Sequence, residues 1–455
     1  MSTKPHSSEV PRVTEILSRY IVNSKPADVP EPVKREALRS FLNWMGCAVG
    51  GSQHETIDRA LATLTEFAGK PTSTLIGRSE RIDALNAALL NGMASHVFDF
   101  DDTHLNTIIH PAGPVAPAIL ALAQRQPISG ADLLHAFIIG VEVECRIGNA
   151  VYPAHYDIGW HITGTAGVFG AAAAAGWLLK LDERQMRWAL GTAGTQSSGM
   201  REMFGTMCKS FHPGRAAQNG LMSALLAARN FTSSERVLEA PRGFAHVMST
   251  ARDFSRITDG LGASYEIALN TYKPFACGIV IHPAIDGCVQ LRNEHALKGD
   301  DIESIELSVH PLVLELTGKK TPRTGLEGKF SVYHSCAAAI LWGAAGESEY
   351  SDACVQNPVA VALSQRVVAN AVAGIREDEV RISLRTRDGR TLTKHVAHAK
   401  GSLERPMSDA ELEEKFRRLC DGVLPPQQTE ALIQKCWGLA DLADAADVIR
   451  AAAKS

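Results

Sequence analysis

Gly164-Thr-Ala-Gly-Val-Phe-Gly-Ala-Ala-Ala-Ala-Ala-Gly-Trp-Leu-Leu179 is the longest apolar run in the chain. It is short of the roughly 20 residues that cross a bilayer. Its side chains are mostly methyl groups or hydrogen, so neighbouring helix backbones can approach it closely. It therefore reads as a buried helix at the centre of a packed multi-helix domain, with Ala171–Ala175 as its narrowest part.

Working outward, the flanking sequence keeps the helical period. Pro30 and Pro32 open a helix with apolar positions Val33, Ala37, Leu38, Phe41, Leu42, Met45 and Val49, closed by Gly50-Gly51. Arg81 to Ala94 is a second, with Asp83 near its start. Ser129–Asp132, Asp182 and Thr232–Glu235 mark further helix starts, and the first and last have capping-box spacing. The texture changes near residue 265. Ile302–Val309 and Glu379–Arg385 alternate apolar and polar, the period of a half-buried strand. Asp388-Gly389 and Thr391–Val396 make the second of these a hairpin over 378–398, with helices around Pro283–Leu297 and Ser335–Gly346. After Pro406 the helical pattern returns, with Ser408–Glu411 as capping box and a final helix near Thr429–Trp437. The expected fold is mostly α: a helical domain over 10–266, a smaller α/β lid domain over 267–398, and a helical segment over 399–455 that completes the helical domain.

Composition excludes several classes. At 455 residues the chain exceeds one ordinary core. A net charge of −4 gives no reason to expect nucleic acid or an anionic membrane. Nine scattered cysteines without Cys-x-x-Cys spacing argue against disulfides, structural zinc and iron–sulfur clusters, and for a reducing, cytoplasmic setting. The N-terminal MSTKPHSSEVPRV has neither an apolar h-region nor an Arg-rich amphipathic run.

One stretch concentrates chemistry: His96-Val-Phe-Asp-Phe-Asp-Asp-Thr-His-Leu-Asn-Thr-Ile-Ile-His110. Acids Asp99, Asp101 and Asp102, imidazoles His96, His104 and His110, and the Thr103 hydroxyl alternate with Phe and Ile. Polar groups embedded in apolar sequence need partners once buried, and pockets supply them. The stretch is expected to form one wall of an acid–base site.

Four others share that mixture. Gly159-Trp-His161-Ile-Thr-Gly-Thr165 precedes the Ala-rich helix, an anion-friendly position. Gly205-Thr-Met-Cys-Lys209-Ser-Phe-His212-Pro-Gly-Arg215 is expected to lie before a helix from Ala216, so a bound carboxylate would meet Lys209, Arg215 and the helix dipole. Tyr272–His282 ends at a helix start, and Lys329–Ser335 opens another helix. Taken singly each is weak: a lone histidine such as His161 is more often structural, 205–215 reads equally as a solvated loop, and Tyr272–His282 as a strand before a helix start. Together they suggest a pocket rich in imidazole and cations. Asp99, Asp101, Asp102, His104 and His110 could ligate a divalent cation, but no His-Glu-x-x-His or EF-hand spacing occurs, so no metal and no cofactor is expected. There is also no Gly-x-Ser-x-Gly elbow, Walker loop or dinucleotide fingerprint.

Asp99–Pro111, Gly159-Trp-His161, Gly205–Gly220 and Ala276-Cys-Gly…His282-Pro-Ala-Ile-Asp286, in this order and spacing, resemble the MmgE/PrpD family over nearly the whole chain. Its members include 2-methylcitrate dehydratase, cis-aconitate decarboxylase and an iminodisuccinate epimerase. The resemblance implies a large helical domain with an α/β lid, a homodimer, and active-site positions at Asp99, Thr103, His110, His161, Lys209 and His282. In that frame Lys209 and His161, with Thr103 and Arg215, would hold substrate carboxylates. His110 and His282 would be the acid–base pair, and Asp99 would orient a histidine. Asp101-Asp102-Thr103-His104 and Ala112 depart from the 2-methylcitrate dehydratase pattern. The implied activity is dehydration of a citrate-type tricarboxylate, 2-methylcitrate or a longer alkylcitrate. Decarboxylation of cis-aconitate, epimerisation of a related polycarboxylate and non-catalytic carboxylate binding are the alternatives.

Overall fold

The computed structural model describes residues 12–454. Of the segment read above for targeting signals, residues 1–11 lie outside them. Local sequence accounts for most helix boundaries. Pro30 caps Glu31–Gly51 and Pro32 sits in its first turn, where a missing N–H costs no helical bond. Asp83 accepts from the Leu85 and Asn86 amides, so a helix starts there and runs over Ala84–His96, after the intervening helix Glu55–Thr65. Arg81–Ile82 instead forms a two-residue strand against Ser73–Thr74. Ser129 accepts from the Asp132 amide, and Asp182 with Gln185 and Ser408 with Glu411 close full capping boxes. Thr232–Glu235 opens no helix, because Pro241 and Gly243 follow too soon. Glu235 pairs with Arg184 and Arg187 at 3.0 and 3.1 Å instead.

The Ala-rich run becomes the buried helix Ile162–Leu178. Small residues set its neighbours' distance. A Cβ on Gly170 would stand 2.7 Å from the Gly140 carbonyl oxygen of Gly130–Val151, and one on Gly220 2.7 Å from the Val168 oxygen. Gly92 and Gly214 make a similar contact between Ala84–His96 and the helix Cys208–Ala227. That contact corrects the helix start expected at Ala216. The helix begins at Cys208 and carries Pro213 and Gly214 inside it, because Gly214 is what lets it press onto Ala84–His96. Lys209 and His212 are thus held on a rigid helix rather than a loop.

The α/β part holds a four-stranded sheet in the order Val367–Ala371, Ile302–Val309, Val380–Thr386, Thr391–Val396. The first pair is parallel and the others antiparallel. Gly389, at φ +88°, makes the hairpin turn. The edge strand Val367–Ala371 escaped the sequence reading because only its first residue is buried, leaving no alternation to read. Helices His282–His295 and Val332–Trp342 pack with the sheet into one apolar cluster. A Cβ on Gly287 would lie 2.5 Å from Ile382 Cδ1, so that helix rests directly on the strands.

The C-terminal segment buries Met407, Leu412, Phe416, Leu432 and Ile449 in the same cluster as the helical body. Phe416 and Leu419 of Asp409–Cys420 pack over Gly46 and Gly50. A last helix, Ala446–Ala451, lies beyond the one expected near Thr429–Trp437. The mostly α fold with a smaller α/β part is as the sequence implied. No helix among the described residues is long and apolar enough to cross a membrane.

Candidate active site

After His96 the chain folds back on itself through two left-handed residues, Asp99 at φ +52° and Ile108 at φ +59°. Asp adopts that region readily, whereas a β-branched Ile does so only under strain, and such strain concentrates at functional sites. Between them Thr103–His104 pairs antiparallel with Asn270–Thr271, and the Thr271 hydroxyl donates to the Thr103 carbonyl at 2.6 Å. This small ladder delivers Lys273 to the site.

Asp99 is the centre of charge. Its Oδ1 lies 3.0 Å from Lys209 Nζ and 2.8 Å from Lys273 Nζ, and Lys273 also donates to its backbone carbonyl at 3.0 Å. Burial would push this carboxyl up, but the two ammonium groups outweigh it and hold it well below the usual carboxylate range. Burial pulls Lys209 below its ordinary value against the opposing pull of Asp99. Phe204 and Phe330 cover Lys209, their ring centroids 5.2 and 5.7 Å from Nζ.

His110 stands beside this group, with Nε2 3.9 Å from Asp99 Oδ1. Its Nδ1 is 2.8 Å from the Asp102 carbonyl oxygen, 3.3 Å from Asp101 Oδ1 and 3.4 Å from the Thr103 hydroxyl. A carbonyl only accepts, so Nδ1 carries a proton and Nε2 is the nitrogen left for chemistry. His161 caps the Ala-rich helix, shares a 2.8 Å Nδ1–Nδ1 hydrogen bond with His212 and packs against Phe204. Burial, then His212 and Lys209, hold it well below the usual imidazole value, so it is neutral.

Asp99, His110, His161, Lys209 and Lys273 line one inner cavity of about 40 Å³, with Tyr156, Ile108, Phe204, Ile279, Val280, Leu316 and Phe330 as its apolar walls. Phe204, Leu316 and Phe330 also line an outer cleft of about 850 Å³ between Asp157–Trp160, Met200–Glu202 and Leu314–Lys319. The cleft is larger, but the buried ionisable groups converge on the inner cavity. Across the cleft Arg201 pairs with Glu315 at 2.6 Å.

Of the residues singled out from sequence, Asp99, His110, His161 and Lys209 meet in this cavity. Three others are placed elsewhere. Thr103 does not line it; its strand pairing turns the hydroxyl to the back of His110. Arg215 is exposed on the 208–227 helix and bonds Gln218, because a residue six positions beyond Lys209 faces away from it. His282 is buried, with Nε2 3.4 Å from the Cys277 carbonyl and Nδ1 without a hydrogen-bond partner among the described residues. It lines a neighbouring cavity of about 270 Å³, behind Ile108, Ile279 and Val280. Burial, then Lys273, push it down to about 3.

Sequence reading took in Lys273 only as part of the Tyr272–His282 stretch, without a role of its own, and undervalued His96. Lys273 gave one signal, a lysine inside the apolar run from Tyr272 to Ile281. His96 bonds Asp101 Oδ2 through Nδ1 at 2.8 Å and Lys209 Nζ through Nε2 at 3.0 Å. His104 is structural, held by Thr107 and Glu266 at 2.8 and 2.9 Å.

Donor atoms of His96, Asp99, Asp101 and His110 fall within 4.8 Å of one another, close enough to ligate a metal. Yet Lys209 and Lys273 already set two ammonium groups against Asp99, and a divalent ion there would face both of them. The donor set therefore fits a site whose cations are lysines.

Two family models cover most of the chain: the MmgE/PrpD N-terminal domain matches residues 15–257 and the MmgE/PrpD C-terminal domain residues 275–439. Among curated relatives, a human cis-aconitate decarboxylase is 28% identical over 451 residues, covering 95% of this chain and 92% of that protein. A cis-aconitate decarboxylase-like protein of Aspergillus oryzae is 26% identical over 467 residues, with 96% of each covered. A cis-aconitate decarboxylase of Aspergillus terreus is 26% identical, covering 95% and 94%.

Proposed function

The chain belongs to the MmgE/PrpD family, and we propose that it is a lyase acting on a compact tricarboxylate, releasing carbon dioxide by metal-free acid–base catalysis. One observation carries the choice of reaction. The inner cavity presents two imidazoles whose Nε2 is free of hydrogen bonds among the described residues, but only His110 has carboxylates beside its ring, Asp99 at 3.9 Å and Asp101 at 3.3 Å. These support the protonated form that donates, whereas burial and Lys209 keep His161 neutral. Losing carbon dioxide needs one proton donor to carbon. Losing water needs a base and an acid together. The relatives named as cis-aconitate decarboxylases favour the same reading.

In this reading Lys209 and Lys273 hold the substrate carboxylates that stay, and His161 contributes a neutral hydrogen-bonding nitrogen. The bond to the departing carboxylate breaks, and its electron pair passes into the unsaturated system beside a retained carboxylate. A proton from His110 Nε2 then forms the new C–H bond. Carboxylates flank both ring nitrogens, Asp99 at 3.9 Å and Asp101 at 3.3 Å, so the imidazolium that donates has counter-charges in place. The cavity is too small for a tricarboxylate with Phe204 and Phe330 stacked over it at 5.9 Å, so substrate entry moves these rings.

Dehydration of citrate or an alkylcitrate is the second reading, favoured by His282. Ile108, Ile279 and Val280 line both its cavity and the inner one, and their displacement would add a third imidazole, free of the Lys209 charge, to the site. Incubation with cis-aconitate, citrate, 2-methylcitrate and longer alkylcitrates, following carbon dioxide and alkene absorbance, separates the two. Carbon dioxide from cis-aconitate supports the first reading; alkene formed from a citrate without carbon dioxide replaces it with the second. Binding without turnover of any of them leaves a carboxylate-binding protein.

A further inference from the structure

We propose that Asp101 and His96, neither of which lines the cavity, form a buried strut that couples the charge on His110 to the ammonium of Lys209 and fixes both groups in place. From Lys209 to Asp101 the strut is hydrogen-bonded. At His110, whose Nδ1 proton goes to the Asp102 carbonyl, it acts through charge, because Asp101 Oδ1 has no hydrogen-bond partner among the described residues. Asp101 divides its carboxylate, with Oδ1 3.3 Å from His110 Nδ1 and Oδ2 2.8 Å from His96 Nδ1, and His96 Nε2 lies 3.0 Å from Lys209 Nζ. Asp101 and His96 are both buried, and the His96 ring packs edge-on against His110 at 4.6 Å and stacks on His161 at 5.8 Å.

Hydrogen-bond roles leave one arrangement. An ammonium only donates, so His96 Nε2 accepts from Lys209; the proton of His96 is then on Nδ1 and is donated to Asp101. Burial pushes His96 down to about 4, so it stays neutral and spans a cation and an anion in a single tautomer. Burial would push Asp101 up, but His96 and His110 together outweigh it and hold it well below the usual range. Its neighbour is treated in the opposite way. Asp102 accepts from Ser40 and Asn270 at 2.8 and 2.6 Å, and burial with the adjacent Asp101 charge pushes it up to about 7. Of the two consecutive acids Asp101 alone is fully charged at neutral pH, and it is the one aimed at His110.

Asp101 and His96 are positioning residues, and the inference rests on His110 being the proton donor. The other groups facing His110 are Asp99, Lys209, Lys273, His161 and Tyr156. A test therefore reads His110 directly. Long-range proton–nitrogen NMR of histidine-labelled protein is recorded from pH 5 to 8 on wild type, Asp101→Asn, His96→Leu and His96→Gln. Gln offers an oxygen to Lys209 and an amide to Asp101, so it restores the strut. The expected results are an Nδ1-protonated His96 in wild type and a His110 titration midpoint lowered by about one unit or more in Asp101→Asn, the effect of losing an adjacent opposite charge. His96→Leu should shift the same midpoint, and His96→Gln should recover most of the shift. A His96 protonated on Nε2, or a His110 titration unmoved in Asp101→Asn, overturns the proposal. The wild-type tautomer is informative even if Asp101→Asn fails to fold. These readouts need no substrate, so they are separable from the assigned reaction. With a turned-over substrate, His96→Leu should lower kcat at least tenfold with KM within threefold, and the pH–rate profile should move with the NMR midpoint.

Discussion

The Nζ of Lys273 lies 2.8 Å from Oδ1 of Asp99 and 3.0 Å from that residue's own carbonyl oxygen. One side chain thus neutralises the carboxylate and clamps its backbone, and it comes from the segment that leads into the α/β part. The site's charge balance is written at this pair. Lys415 holds the same junction from the C-terminal helix, donating to the carbonyls of Phe100 and Lys273 at 2.6 and 2.9 Å.

Asp99→Asn tests that balance without disturbing the turn, since Asn adopts left-handed backbone as readily as Asp. Two buried ammonium groups would lose their counter-charge. A stability loss of about 3–5 kcal/mol is expected, read by chemical denaturation. A loss under about 1 kcal/mol would mean that other groups neutralise Lys209 and Lys273.

Lys209→Met removes a cation that touches both Asp99 and His96 but leaves Lys273 on Asp99. The protein should fold, and kcat/KM should fall by about 10²-fold or more, the scale of losing one charge-stabilising donor. His110→Gln should lower kcat by about 10²–10⁴-fold with an unchanged denaturation midpoint. Wild-type rates in either variant would remove that residue from its role.

Stability should peak near pH 6–7. Burial lowers His96, His135, His155 and His212 to about 4, His282 to about 3 and His161 well below its usual value. An unfolded chain protonates all six near 6.5, so it binds more protons between about 4 and 6.5, and stability rises with pH there. Burial raises Asp102 and Glu142 to about 7 and Glu144 well above its ordinary value. These acids act in the opposite sense from about pH 4 upward, but they are fewer. Each unmatched proton contributes a slope of about 1.4 kcal/mol per pH unit. Urea denaturation at pH 5, 6, 7 and 8 checks the sign; greater stability at pH 5 than at pH 6.5 would contradict it.

Glu144 lies fully buried on the Gly130–Val151 helix, and neither carboxyl oxygen has a hydrogen-bond partner among the described residues. Its raised value means that folding retains a proton the unfolded chain releases above about 4.5, which costs stability as pH rises. Glu144→Gln removes that cost, so the variant should gain stability relative to wild type at pH 8 and less at pH 5. An equal change at both pH values would show that Glu144 does not hold a proton in the fold.

Much of this was legible in the sequence where local rules decide. Asp182, Ser408 and the alternation of Ile302–Val309 marked element boundaries because caps and periodicity act within a few residues. The Gly205–Arg215 stretch was misread because Pro213-Gly214 breaks helices locally, while the tertiary contact of Gly214 with Ala84–His96 holds one together. The inward turn of Lys209 and the outward turn of Arg215 follow from the register of the helix Cys208–Ala227, which the misplaced start concealed. Lys273 and His96 were hidden for a different reason. Their importance lies in partners 174 and 113 residues away, and no spacing rule reaches that far.

The central claim is that the cavity joining Asp99, His110, His161, Lys209 and Lys273 is where a tricarboxylate reacts. A crystal structure of the protein with a non-reacting tricarboxylate analogue bound tests it most directly. The account predicts carboxylates within about 3 Å of Lys209 or Lys273 and the carbon that accepts the proton within about 3.5 Å of His110 Nε2. An analogue seated in the outer cleft or in the cavity behind Ile108, with the inner groups untouched, would contradict it.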